Sequence, residues 1–113
     1  MAEDEKTIAA GTGNVFADLG LPDADERLLK ARLATVIGET IAHFGLTQTA
    51  AAQRLRIAQP DVSNLLRGRL RGFSLERLFD FARMLGNDIE ITVRRPRREK
   101  PERQRGHVRM LVA

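Results

Sequence analysis

A chain of 113 residues accommodates one domain with a small core and tails. It has no Cys, Trp or Tyr, which excludes a disulfide framework and cysteine-based zinc or redox sites and makes a reducing, cytoplasmic compartment the default expectation. Its net charge of +4 is unevenly spread: residues 1–30 carry seven acids and three bases, residues 31–93 six and eight, and residues 94–113 two and eight, so different segments are expected to meet different partners.

No apolar run approaches the roughly 18 residues that cross a bilayer, and the acidic start MAEDEK has the wrong sign for a signal peptide, so no membrane association is expected. Residues 1–13 are polar and contain Gly11 and Gly13, which predicts little fixed structure. Residues 14–21, N-V-F-A-D-L-G-L, then gather Val15, Phe16, Leu19 and Leu21 into a short apolar cluster. Two readings compete for it. Either Phe16 and Leu19 fold back onto the chain's own helices, or the segment is a docking peptide for a groove on a partner protein. Residues 1–22 are thus an acidic, partly flexible leader.

A long helix is expected to start at Asp23, with Glu26 three residues later in a carboxylate variant of the capping box and Pro22 ending the preceding segment. Leu29, Leu33, Val36, Ile37, Ile41 and Phe44 form a stripe at helical spacing, and Gly45 closes the helix. His43 suits a helix end. The other histidine, His107, is far away in the tail, so no metal site is expected.

Thr47 caps a short helix in which Ala51 and Leu55 share a face. After a corner at Arg56, Ile57 and Ala58, a second helix from Gln59 to Arg67 turns Val62, Leu65 and Leu66 to one side. Two short helices with a common core read as a helix-turn-helix. The opposite side presents Gln59, Pro60, Ser63, Asn64 and Arg67, amides and a guanidinium suited to bidentate contacts with base edges in a major groove. Asp61 also lies on the second helix, near its start, where a carboxylate satisfying backbone N–H groups is the first reading and a contact to cytosine N4 the second.

Residues 67–72, R-G-R-L-R-G, place Arg69 and Arg71 beside this helix, as phosphate contacts or as a solvated basic loop. Ser74 caps a last helix, with Phe73 and Leu78 placed for a hydrophobic staple. Leu75, Leu78, Phe79, Ala82 and Leu85 are expected to face the core. Phe81 and Met84 are expected on the other flank, as a dimer surface or as packing under the flanking segments. After Gly86 and Asn87, residues 88–93, D-I-E-I-T-V, alternate as a half-buried strand does. One strand alone is an unsatisfied edge; pairing of Ile89, Ile91 and Val93 with the twin segment of a homodimer is favoured over pairing with another protein's sheet. Two-fold symmetry would set recognition helices about 34 Å apart, one turn of DNA. Residues 94–113 form a basic tail broken by Pro96 and Pro101, read as nonspecific phosphate affinity or as a plain disordered end. Its terminal V-R-M-L-V-A is another contact segment or nothing.

Residues 23 to 86 resemble the phage-repressor-like (XRE, or Cro/CI-type) helix-turn-helix proteins. In that family one Gln opens the first helix of the motif and contacts phosphate, and eleven residues later another opens the recognition helix; Gln48 and Gln59 have that spacing, so the resemblance implies phosphate contact at Gln48, with Thr47 beside it as a further candidate. Ala52, Ile57, Val62 and Leu65 also match. Arg56 departs from the pattern, because the family often has Gly at the corner and a non-Gly residue with positive φ costs about 1 kcal/mol or more. The layout of residues 14–93, with its N-V-F-A-D-L-G-L leader, Q-P-x-V-S, R-G-x-x-x-G-F-S-L-x-R-L and I-x-I-x-V, is similar more narrowly to HigA-type antitoxins of toxin–antitoxin pairs. That resemblance implies a homodimer that represses its own operon at a palindromic operator and neutralises a small endoribonuclease toxin of the RelE/HigB type. The stand-alone XRE-type repressor is the alternative, and an interaction module that no longer reads DNA is a third reading.

The expected fold is mainly α, a phage-repressor-like bundle of four to five helices plus one C-terminal β-strand between flexible N- and C-terminal tails. Residues 23–86 are its DNA-binding domain, 87–93 the dimerisation strand and 94–113 the basic tail. With no Gly-rich phosphate loop, metal cluster or paired nucleophile and base, neither an enzyme nor a cofactor is expected, and the protein should be cytoplasmic, associated with the nucleoid when bound to DNA.

Overall fold

The computed structural model describes residues 23–96 and 105–113. Four helices follow in order: α1 (Asp23–His43), α2 (Gln48–Leu55), α3 (Gln59–Leu66) and α4 (Leu75–Met84). Helix α1 lies against α4 and α3, and α2 packs chiefly on α3. Local chemistry sets the starts. The Thr47 Oγ1 accepts the Ala50 N–H at 3.0 Å, and the Ser74 Oγ accepts the Arg77 N–H at 3.1 Å, each satisfying an otherwise orphaned donor of the first turn. In α1, Asp23, Asp25 and Glu26 occupy the first turn, where negative charge suits the dipole, and Glu26 also pairs with Lys30 at 3.3 Å.

All four helices end alike. Gly45, Arg56, Gly68 and Gly86 each donate back to the carbonyl three residues earlier, and the next residue donates to the carbonyl five earlier, at distances between 2.8 and 3.3 Å. This double bond pattern needs a left-handed residue at the first position. Three of the four are glycines with positive φ, and the fourth is Arg56 at φ 60, ψ 41, the one positive-φ non-glycine among the described residues. The strain expected at the corner is therefore present. Arg56→Gly should relieve it and, after the extra chain entropy of glycine, stabilise the domain by about 0.5–1 kcal/mol, a rise of a few degrees in thermal midpoint. A midpoint that stays or falls in thermal denaturation would refute it.

One apolar core joins the helices. Ile37 from α1, Leu55 from α2, Val62 and Leu65 from α3 and Leu78 from α4 are fully buried, each such side chain contributing about 1.5–3 kcal/mol of transfer free energy. Leu29, Leu33, Ala34 and Ile41 complete the α1 stripe. The structure corrects four packing expectations. Phe81 is 4% exposed and belongs to the core, its ring edge-on to Phe73 at 5.8 Å; Met84, expected on the same flank, is 40% exposed. Phe79, expected in the core, is half-buried at its margin. Leu66 and Phe44, expected inside, are 39% and 53% exposed: Leu66 lies along Gly38 of α1 at the rim of a shallow cleft, and Phe44, just past the end of α1, sits at the surface beside His43 and Arg54.

Asn87 adds a polar tie that no periodicity announces. Its Nδ2 donates to Thr40 Oγ1 at 3.0 Å and to the Ala82 carbonyl at 3.1 Å, and the Thr40 hydroxyl donates to the Val36 carbonyl at 2.8 Å, fastening the end of α4 to α1. Residues 88–93 then run without strand pairing, and no strand occurs among the described residues. A ladder needs a second strand, which a single copy does not supply here; only Ile89 packs on the core, while Ile91 and Val93 are exposed. Residues 105–113 return to the bundle. Val108 and Met110 pack against the core, and Val112 and Ala113 line a shallow cleft with Val36, Phe44, Leu85 and Asn87, so the terminal apolar run is an intramolecular contact segment.

Candidate nucleic-acid interface

The corner between α2 and α3 brings the first residues of both helices side by side. Thr47, at φ −73 and ψ 166, turns the chain into α2 so that Gln48 occupies its first position. Ala58 does the same for α3 without a side-chain cap, and Pro60 sits in the first turn, where its missing N–H is no loss. Across the corner, the Gln59 Nε2 donates a 2.7 Å hydrogen bond to the Gln48 Oε1.

That bond leaves useful chemistry free. A Gln amide carries two N–H donors and one oxygen acceptor. Bidentate pairing with adenine uses one donor, to N7, and the acceptor, from the N6 amine. Gln59 spends its remaining donor on Gln48, so its recognition pair stays intact while the side chain is held. Gln48 in turn keeps both N–H groups for a phosphate oxygen.

The rest of the predicted face is accessible to different degrees. Pro60 and Arg67 are exposed with Gln59, whereas Ser63 and Asn64 are half-buried on the same helix. Thr47, Gln48, Arg69 and Arg71 are exposed. Arg69 is tied to α3 through its backbone, the N–H donating to the Asn64 carbonyl at 2.8 Å, which fixes the start of the arginine loop beside the helix. Asp61 lies half-buried in the first turn of α3.

Residues 47–72 hold five arginines and one acid. Sequence reasoning singled out Arg67, Arg69 and Arg71 but not Arg54, which is also exposed. Among the described residues the ion pairs are Glu26–Lys30 and Asp80–Arg83, so none of these five guanidiniums is neutralised by a carboxylate there. Such a surface raises the local concentration of polyanions. The other predicted surfaces are less assembled. Of the dimerisation set, Phe81 is buried, Ile89 half-buried, and Met84, Ile91 and Val93 exposed; the docking residues Val15, Phe16, Leu19 and Leu21 lie outside the described residues. Among the described residues no helix is long and apolar enough to cross a membrane.

Comparison with known proteins agrees with this geometry. Residues 15–94 match the model of a helix-turn-helix domain family. A solved structure assigned to the XRE family of transcriptional regulators superposes with a TM-score of 0.72 at 41% identity, covering 81% of this chain and 100% of that one. No curated protein matches. From the shared two-helix corner, the match over residues 15–94 and the full-length correspondence with that regulator, the chain belongs to the XRE family of helix-turn-helix proteins.

Proposed function

We propose that the protein is a sequence-specific DNA-binding transcriptional repressor that serves as the antitoxin of a toxin–antitoxin pair. The observation that carries the DNA-binding half is the hydrogen bond from the Gln59 side-chain amide to that of Gln48 at the head of α3, set on a surface whose arginines form no ion pair among the described residues. Gln59, Pro60, Ser63, Asn64 and Arg67 read bases, and Thr47, Gln48, Arg69 and Arg71 hold phosphates. The exposed Met84, Ile91 and Val93 support a homodimer in which residues 88–93 of two copies pair. The antitoxin half is supported by the leader and the I-x-I-x-V segment, whose order along the chain is similar to HigA-type antitoxins. The second reading, a repressor with no toxin, is favoured by the solved counterpart's assignment as a transcriptional regulator.

Two measurements test the two halves. Footprinting on the DNA upstream of the gene should protect two half-sites about 34 Å apart, with affinity falling steeply as salt rises; protection indifferent to sequence would remove the base-reading assignment. Tagged purification of the protein expressed with its neighbouring gene, with and without residues 1–21, should recover a small stoichiometric partner with the full chain and lose it with the truncated one. Recovery of no partner from either preparation would leave the stand-alone repressor.

A further inference from the structure

Arg77 lies in the first turn of α4, outside the corner and the arginine loop. Its guanidinium sits 5.3 Å from the ring centroids of both Phe73 and Phe81. A cation there opposes the helix dipole, so local preference does not account for it. The two rings hold it from one side, and the Ser74 hydroxyl fixes its backbone N–H. No carboxylate among the described residues pairs with it, and the residue is exposed. A helical side chain leans toward the N-terminus of its helix, and Phe73 is the residue that follows the loop of Arg67, Arg69 and Arg71. The guanidinium is therefore held between Phe73, at the loop end of α4, and Phe81, and its N–H donors have no hydrogen-bond or ion-pair partner among the described residues.

We propose that Arg77 is a phosphate-binding residue that extends the DNA contact from the arginine loop onto α4, with Phe73 and Phe81 as the platform that orients it. This role rests on the protein's binding DNA through the α2–α3 corner. A planar guanidinium held against two aromatic rings can still offer N–H donors for a bidentate phosphate contact, and ordering it in advance reduces the entropy lost on binding. Because a phosphate carries no sequence information, Arg77 contributes to affinity on every sequence.

The test is a salt titration of duplex binding by the full chain, on the upstream DNA and on a random duplex, for the wild type, R77M, R77K and R83A. R77M keeps an apolar cover over the two rings while removing the charge. It should reduce the slope of log K against log salt by about 1 and weaken binding roughly tenfold at low salt, equally on both duplexes. R77K should recover most of the slope and part of the affinity. R83A removes an arginine that already pairs with Asp80 and should leave the slope unchanged. Thermal midpoints of each variant separate folding from binding. If R77M keeps the wild-type slope, with or without a lower midpoint, Arg77 is a cover for the aromatic pair and the proposal falls while the DNA-binding reading stands. If the wild type itself shows no salt-dependent binding to either duplex, both fall together.

Discussion

Phe81→Ala is expected to lower the stability of the domain by about 3–5 kcal/mol, a large share of what a domain of this size has to lose. The ring is 4% exposed and meets Phe73 edge-on at 5.8 Å and 77°, a contact worth about 0.5–1.5 kcal/mol beyond burial alone. Truncation removes that contact, opens a cavity between α4 and the loop that precedes it, and leaves the Arg77 guanidinium without half of its support. Total stability for such a domain is about 4–11 kcal/mol, so the variant should have a greatly lowered urea midpoint. Met84→Ala, three residues on and 40% exposed, should change stability by less than about 1 kcal/mol. The contrast separates core from surface on one helix. If Phe81→Ala kept its midpoint and instead converted a dimer to a monomer in sedimentation, Phe81 would belong to an interface and not to the core.

Three of the four helix starts were legible because each rests on one residue type with a local job: an acidic first turn from Asp23, and hydroxyl caps at Thr47 and Ser74; α3 starts at Ala58 without a side-chain cap. The corner was legible to the level of its strain, since the Gly-for-Arg56 departure pointed to a left-handed residue that the structure contains. Position on α4 was harder. At about 100° per residue, Phe79 and Phe81 flank the same apolar stripe on opposite edges, and only Phe73, arriving from the loop, decides which edge is inside. Helix periodicity carries no information about that loop. The same limit applies to Leu66 and Phe44, whose spacing is right but whose burial depends on how closely the neighbouring elements cover the ends of α3 and α1. The alternation of residues 88–93 is a property of one segment, whereas a ladder is a property of two. In the candidate site, the eleven-residue spacing of Gln48 and Gln59 was visible, yet the direction of their hydrogen bond and the ring platform of Arg77 arise only when the helices are packed.

Gln59→Ala and Asn64→Ala should each cost about 1–3 kcal/mol of affinity for the specific site and relax its sequence preference at one position, with little change on random DNA. Arg69→Ala should do the reverse, weakening binding to all sequences and flattening the salt slope by about 1. Gln48 is the informative partner. Its Oε1 accepts from Gln59 at 2.7 Å, so Gln48→Ala should remove the proposed phosphate contact and also free the Gln59 amide to rotate away from the base it is proposed to read. The two residues act as a unit, and their substitutions should not add. A double-mutant cycle on the specific site should give a coupling of about 0.5–3 kcal/mol, the range for side chains in direct hydrogen-bond contact. On a random duplex, where Gln59 has no base to read, the coupling should vanish. Equal coupling on both duplexes would mean that the Gln59–Gln48 hydrogen bond only holds the corner of the two helices together, and additive losses on the specific site would mean that Gln59 is oriented by the backbone of α3 without help from Gln48.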